Sequence, residues 1–271
     1  MIKKHRRFIP AILLFLLAFV ISCKQNTDLP IDPQDISTVK TLSENHKNFI
    51  VRFHPGTVEA NNKVMVERAH LINLRDDYNH VIKKKNKLDW INDLAQKYRF
   101  EENFFCTTLT KEEYIQRIDT MLFRVDYIPE KLIMAQAIIE SGWGGSKFSK
   151  EINNYFGIHC YTRGCGRPPA NVENPKFWVK AFPTVAICIE DYLRLLNSGF
   201  AYEELRQKRA ELRKDKEYPN AILLAQGLEK YSEKGNEYIQ LIESIINNYL
   251  PKNLDEFVRY HNNENQILSK N

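Results

Sequence analysis

The sequence lacks a basic surplus once its first residues are set aside. Four of the 39 lysine and arginine residues and none of the 34 acidic residues lie within residues 1–22, so the remaining chain carries a net charge of only +1. A protein that binds a nucleic-acid backbone needs clustered positive charge. We therefore expect no nucleic-acid partner.

The chain also lacks an apolar run long enough to cross a membrane. The apolar segment from Phe8 to Ile21 has 14 residues, whereas a membrane-spanning helix needs about 20. It follows a cationic stretch and ends in Ser22-Cys23, which is typical of a bacterial lipoprotein signal peptide over residues 1–22. An ordinary signal peptide with an incidental cysteine is the alternative.

We expect Cys23 to carry a lipid, so that the protein contacts the membrane through its lipidated N-terminus. Residues 23–44 are polar and predict a tether between the lipid and the folded protein. Lys24 follows the cysteine where an aspartate would favour inner-membrane retention. These features predict a location in the cell envelope, on the periplasmic face, and favour the outer membrane in a cell that has one.

Cysteines and histidines are few and are not spaced as metal ligands. No HExxH motif occurs among the seven histidines, so we expect neither a metal nor another cofactor. Cys160 and Cys165 are five positions apart and have flexible glycines beside Cys165, so an exported chain can join them in a disulfide. Half of a metal site, or a nucleophile built from Cys160 and His159, are the alternatives.

Apolar residues at helical spacing occupy most of the chain and predict a mainly α protein. An N-terminal helical region covers residues 45–115, with a helix break at Pro55-Gly56 and a second helix that ends near Arg75. Thr110 and Glu113 predict a capping box at the start of a later helix. Residues 251–271 predict a polar, peripheral tail.

Glycine is scarce, and its distribution marks one irregular region. Six of the ten glycines lie between Gly142 and Gly166, which predicts a loop where backbone shape matters more than burial. The segment from Phe177 to Phe182 predicts one strand of a small β-hairpin, with Asn174-Pro175 as its turn.

One helix ends in a residue with catalytic potential. The segment from Pro129 to Ser141 is apolar nearly all round, which is typical of a buried helix, and Glu140 lies at its C-terminal end. Desolvation and the negative end of the helix dipole both raise the pKa of a carboxyl group there. A glycosidase needs such a protonated acid, and Trp143 offers a flat face for a sugar ring. A glutamate that merely faces solvent is the alternative.

The residues around Glu140 form a longer motif. The sequence from Ala135 to Ser146, AQAIIESGWGGS, resembles the signature of the bacterial glucosaminidase family, which comprises the peptidoglycan hydrolases of glycoside hydrolase family 73. The later NNYFGI, from Asn153 to Ile158, is similar to the second motif of that family. Three further stretches resemble its Bax-like subfamily, namely RVDYIP, CYTRGCG and YSEKGNEY, which begin at Arg124, Cys160 and Tyr231.

This resemblance implies a fold and an activity. The fold is a lysozyme-like α domain over residues 116–250, with a small β-hairpin lobe and the N-terminal helical region as an extension. The activity is hydrolysis of the β-1,4 bond between N-acetylglucosamine and N-acetylmuramic acid, so the expected partner is a peptidoglycan glycan strand. We expect the protein to act as a monomer.

The resemblance also assigns roles to residues. Glu140 falls on the general acid of the family, and Tyr231 on a tyrosine that matters for activity, although a packing role for it is the alternative. The family motif that lines the sugar groove corresponds here to Asn154, Tyr155 and Phe156. Of these, Phe156 is expected to support the core. Gln136 lies one turn before Glu140 and shares its face.

The second carboxylate departs from the family pattern. Family members often carry an acid on the hairpin, but no acidic residue lies between Pro175 and Phe182. Glu173 is the nearest candidate base, with a solvated loop charge as the alternative. If Glu173 does not act, the N-acetyl group of the substrate is expected to be the nucleophile.

Three other functions compete with a glucosaminidase. A lytic transglycosylase also uses one glutamate after a helix, and a catalytically silent lipoprotein would bind glycan without cutting it. An amidase is disfavoured because the sequence has no set of zinc ligands.

Overall fold

The computed structural model describes residues 42–169, 172, 174–214, 219–231 and 235–255. The predicted signal peptide, Cys23, nearly all of the tether, and Glu173 lie outside this part of the chain. The described residues form a mainly helical protein with one small antiparallel sheet, which confirms the predicted fold class.

Along the chain, helices precede and follow the sheet. The first six helices are α1 (Glu44–Arg75), α2 (Tyr78–Lys83), α3 (Lys85–Lys97), α4 (Lys111–Arg124), α5 (Glu130–Ser141) and α6 (Lys147–Ile152). The strands are β1 (His159–Cys160), β2 (Gly166–Arg167) and β3 (Trp178–Lys180). The remaining helices are α7 (Val185–Ser198), α8 (Glu203–Lys214), α9 (Ala221–Ala225) and α10 (Asn236–Tyr249), with 3-10 turns at Phe200–Tyr202 and Gln226–Tyr231.

Helix α1 is continuous, so the predicted break at Pro55-Gly56 is wrong. A proline inside a helix removes one backbone N–H, but Pro55 faces solvent while the preceding His54 is buried and bonds to Glu130 of α5. Tertiary contacts therefore hold the helix together at this point. Gly56 allows α1 to pack closely against α7, because a Cβ atom there would lie only 3.0 Å from the Ile189 Cδ1 atom.

Most other predicted helices are present. The capping box of Thr110 and Glu113 begins α4, as predicted. Pro129 is the N-cap of α5 and not its first helical residue, so the helix starts one position later than expected. Helices α2, α6, α8 and α9 were not predicted, since all but α8 are shorter than two full turns and α8 has few apolar residues.

The sheet has three strands, with β3 in the centre and β1 and β2 antiparallel to it on either side. The predicted hairpin with a turn at Asn174-Pro175 is therefore wrong in detail, because those residues lie within the longer connection between β2 and β3. The strand is also shorter than predicted. Its pairing ends because the Phe182 N–H donates to the Ile152 carbonyl at 2.9 Å and not to a neighbouring strand.

One hydrophobic core unites the described chain. Buried residues from Leu42 before α1 to Leu254 after α10 belong to the same cluster, and α1 packs directly against α4, α5 and α7. The first residues of the predicted polar tail join this core. Leu254 is buried, and Asp255 accepts a hydrogen bond from the Lys131 N–H at 2.9 Å.

A buried charge cluster lies just before α5. The Asp126 carboxylate is bound by Arg213 of α8 through an Nε–Oδ2 hydrogen bond of 2.9 Å. Arg68 of α1 lies 3.6 Å away and Arg209 of α8 lies 3.8 Å away. Buried charges are stable only when they are paired, so this cluster connects α1, α8 and the segment that leads into α5.

No helix within the described ranges is both long enough and apolar enough to span a membrane.

Candidate active site

Helix α5 is buried along most of its length, and its last turn places Glu140 at the surface. Its residues from Leu132 to Ile138 are buried, whereas the Glu140 side chain in the last turn is exposed. Gly142 then takes the left-handed conformation, with φ +57°, which ends the helix. The Ser141 hydroxyl accepts a hydrogen bond from the Gly144 N–H at 2.8 Å and donates to the Ala137 carbonyl at 2.6 Å, which secures the turn beside Glu140.

Two buried polar side chains support Glu140 from below. The Tyr238 hydroxyl of α10 donates to Glu140 Oε1 at 3.0 Å. The Gln136 amide donates from Nε2 to the same hydroxyl at 3.2 Å. Gln136 therefore shares the face of Glu140, as predicted, but it is fully buried beneath the carboxyl group and is not open to a glycan.

Tyr238 is the site residue that the sequence reasoning missed as a functional group. It is the last residue of the YSEKGNEY stretch and lies on the buried face of α10 with Ile242 and Ile245. Its hydroxyl is the available signal, because a buried tyrosine usually places that group against a polar partner.

Two opposed effects act on the pKa of Glu140. Desolvation by the surrounding protein raises it, and the hydrogen bond from Tyr238, which stabilises the carboxylate, lowers it. Desolvation is the larger effect, so the pKa lies above its ordinary value. The fraction of Glu140 that is protonated near neutral pH is therefore larger than that of an ordinary glutamate.

Trp143 follows the helix and packs against α1. Its ring stacks on His46, with 4.0 Å between the ring centroids, and meets the ring of Phe49 edge-on at 5.9 Å. One face of the indole is thus occupied by His46. A sugar would have to use the opposite face of the ring.

Asn154 bonds to the backbone on four sides in this structure, and its role as a substrate ligand stays a prediction. The side chain is buried. Its Nδ2 group donates to the Ile158 and Lys180 carbonyls at 2.9 and 2.8 Å, and its Oδ1 atom accepts from the Phe156 and Ile158 N–H groups at 3.3 and 3.0 Å. These four bonds use the hydrogen-bonding capacity of the amide, and they connect the loop after α6 to β3.

The two aromatic residues after Asn154 pack inward. Phe156 is buried and stacks on Tyr192, with 3.8 Å between the centroids, which confirms the expectation that it supports the core. Tyr155 is partly buried and meets Phe53 edge-on at 5.1 Å. Burial raises the pKa of the Tyr155 hydroxyl.

The two remaining catalytic candidates are not placed by the structure. Tyr231 ends the 3-10 turn that precedes α10, and its side chain lies outside the described part of the molecule. Glu173 lies outside it altogether. Their roles therefore stay predictions.

Cys160 and Cys165 form the expected disulfide. Cys160 belongs to β1 and Cys165 immediately precedes β2, so the bond closes the loop between the two outer strands. Among the described side chains, no group of three or more His, Cys, Asp or Glu residues is arranged to hold a metal ion.

These features define a mainly helical protein with a small β lobe and a partly desolvated glutamate at the end of a buried helix. Residues 122–251 match the family model described as glucosaminidase, mannosyl-glycoprotein endo-beta-N-acetylglucosaminidase. This segment of the chain is therefore similar to the glucosaminidase family.

The chain is also similar to a curated protein, Protein bax of Escherichia coli (strain K12). The two are 34% identical over 151 residues, which is 56% of this chain and 48% of that protein. The chain thus matches about half the length of this relative. No solved structure matches the chain.

Proposed function

We propose that the protein is a peptidoglycan hydrolase that cleaves the β-1,4 bond between N-acetylglucosamine and N-acetylmuramic acid. The observation that carries this proposal is Glu140, a glutamate with a raised pKa that is exposed at the end of a buried helix. The family of residues 122–251 supports a glycosidase that acts on such glycans.

Glu140 acts in this proposal as the general acid. Its proton passes to the glycosidic oxygen as the bond to the anomeric carbon breaks. The electron pair of that bond stays on the departing oxygen, and Glu140 becomes a carboxylate. The positive charge that develops on the sugar ring needs a nucleophile on the opposite face.

We favour the N-acetyl group of the substrate as that nucleophile, since no acidic residue lies between Pro175 and Phe182. Tyr231 would then position the acetamido group. In the alternative, Glu173 activates a water molecule. Glu173→Gln should lower kcat about 100-fold if Glu173 is the base, whereas Tyr231→Phe should have the larger effect if the N-acetyl group attacks.

Replacing Glu140 tests the proposed acid directly. Glu140→Gln keeps the shape of the side chain and removes the transferable proton, so kcat should fall by about 10²–10⁴-fold while the melting temperature stays unchanged. Glu211→Gln, at an exposed position of α8, is the matched control and should retain full activity. Wild-type turnover by Glu140→Gln would end this assignment.

The mass of the product separates the competing functions. Digestion of purified peptidoglycan followed by mass spectrometry should yield fragments with N-acetylglucosamine at the reducing end. An anhydro-muramic end would instead identify a lytic transglycosylase. Binding to the glycan without any release of fragments would identify a silent glycan-binding protein.

We also propose that a lipid on Cys23 anchors the protein to the membrane, on the basis of the signal-like segment at residues 1–22. Cys23→Ala should abolish incorporation of labelled fatty acid and should remove the protein from the membrane fraction. Equal labelling of the variant and the wild type would contradict the anchor.

A further inference from the structure

The two carboxyl oxygens of Glu140 have different surroundings. Oε1 accepts the hydrogen bond from Tyr238 at 3.0 Å. Oε2 has no hydrogen-bond partner within the described part of the chain, and the side chain is open to solvent. A substrate can therefore approach Oε2, whereas the protein already occupies Oε1.

The Gln136 amide determines where the single hydroxyl hydrogen of Tyr238 points. Nε2 of Gln136 donates to the tyrosine oxygen at 3.2 Å, and the hydroxyl of Tyr238 in turn donates its hydrogen to Glu140. The opposite amide orientation would present Oε1 of Gln136, which would take that hydrogen away from Glu140. Gln136 is fully buried and Tyr238 is 4% exposed, so water competes little for these bonds.

We propose that Tyr238, oriented by Gln136, is a positioning residue that keeps the proton of protonated Glu140 on Oε2, the carboxyl oxygen open to the substrate. An oxygen that accepts a hydrogen bond from Tyr238 is a poor site for a proton, because the hydroxyl oxygen of a carboxylic acid is a weaker acceptor than its carbonyl oxygen and the bond would weaken. The proton therefore resides on Oε2. This inference rests on the proposed function of Glu140 as the general acid.

The same hydrogen bond acts again after proton transfer. The proton moves from Oε2 to the glycosidic oxygen, and the carboxylate that remains keeps its bond from Tyr238. A hydrogen bond to a charged acceptor is stronger than one to a neutral acceptor, so Tyr238 stabilises the product state of the acid.

Two described titratable groups act on this carboxyl group. Tyr238 on α10 bonds to it directly. Tyr202, in the 3-10 turn after α7, interacts with it electrostatically: burial raises the pKa of Tyr202, and the negative charge of Glu140 adds to that effect. Because its raised pKa keeps Tyr202 neutral while a carboxyl group titrates, Tyr202 does not obscure the titration of Glu140.

The test compares three variants of the full chain. Tyr238→Phe removes the donor, and Gln136→Met removes the group that orients it while keeping a similar volume. Tyr114→Phe is the matched control, since it deletes another buried hydroxyl, which donates to the Leu74 carbonyl at 2.7 Å in the N-terminal helical region. Thermal melting by circular dichroism establishes that each variant is folded.

The first measurement does not depend on activity. Titration of 13C-labelled glutamate carboxyl groups by NMR, with the Glu140 signal assigned by its loss in Glu140→Gln, reports the pKa of Glu140. Removing a hydrogen bond that stabilises the carboxylate should raise that pKa by about one unit in Tyr238→Phe. The shift should be smaller but in the same direction in Gln136→Met, and absent in Tyr114→Phe.

The second measurement is kinetic and uses purified peptidoglycan. Loss of proton positioning should lower kcat about tenfold in Tyr238→Phe and leave KM nearly unchanged, because the buried hydroxyl does not touch the substrate. Activity is lost at high pH as Glu140 deprotonates, so the alkaline limb of the kcat profile should move to higher pH with the raised pKa.

The outcomes separate this inference from the proposed function. An unchanged Glu140 titration in a folded Tyr238→Phe variant would overturn the inference, and so would an unchanged titration in Gln136→Met. Full activity of Glu140→Gln would instead overturn the proposed function, whatever the NMR titration shows.

Discussion

At the scale of single residues, several buried polar side chains bond to the backbone and do not face the site. Asn154 satisfies four backbone groups of the loop and of β3, and Arg209 binds backbone carbonyls before α5, including Phe123 at 3.1 Å. Such side chains stabilise the fold, because a buried carbonyl without a hydrogen-bond partner costs about 1–3 kcal/mol.

Asp126 provides a prediction at this scale. Burial alone would raise the pKa of its carboxyl group, but Arg68, Arg213 and Arg209 outweigh burial and hold the pKa well below its usual range. Asp126→Asn leaves three buried or half-buried guanidinium groups without their counter-charge. We expect a loss of about 3–5 kcal/mol in the free energy of unfolding, measured in urea at pH 7.

The same shift predicts a pH dependence. Because the folded pKa is depressed, the stabilisation by Asp126 is complete above the unfolded pKa of about 3.9 and declines as the pH falls below it towards the folded value. The wild type should therefore lose stability on acidification below about pH 4 more steeply than Asp126→Asn. Parallel stability curves for the two proteins in this pH window would contradict the assignment.

At the scale of elements, α1 shows how tertiary contacts override a local signal. The helix contains Pro55 in its interior and still continues, because its buried face packs against α4, α5 and α7. Proline disfavours a helix interior by about 3 kcal/mol relative to alanine in isolation. The contacts of the surrounding turns exceed this penalty in the folded protein.

Pro55→Ala should therefore stabilise the protein. The substitution restores a helical N–H at an exposed position, so we expect a gain of about 1 kcal/mol or more in the free energy of unfolding, with unchanged helix content by circular dichroism. Pro129→Ala, at the N-cap of α5, is the comparison and should gain less, since no helical bond is restored there. A destabilised Pro55→Ala would mean that α1 needs the proline geometry.

At the scale of the whole molecule, the family segment and the N-terminal helical region share one core. The family model begins at residue 122, yet Phe49, Ile50 and Phe53 of α1 are buried in the same cluster as α5 and α7. Helix α1 also carries His46, which stacks on Trp143 beside Glu140. The N-terminal region is thus part of the folded unit and of the surroundings of the site.

Truncation should expose this dependence. A fragment of residues 116–250 lacks α1 and leaves the apolar faces of α4, α5 and α7 uncovered, so it should aggregate or show no cooperative thermal transition. A fragment of residues 42–255 retains the whole core and should melt in one transition, like the full chain. A soluble and cooperatively folded 116–250 fragment would contradict the single-core interpretation.

The sequence by itself determined the helical class, the capping box of α4, the position of Glu140 at a helix end, the disulfide pair and the resemblance to the glucosaminidase family. These features depend on local spacing and on residue types within a short window, which a sequence displays directly. Only the tertiary structure decided that α1 passes through Pro55, that Asn154 supports the backbone, and that Tyr238 lies beneath Glu140. Each of these features depends on partners that are distant in the chain; Gln136 and Tyr238, for example, are 102 positions apart. A local sequence pattern does not indicate such contacts.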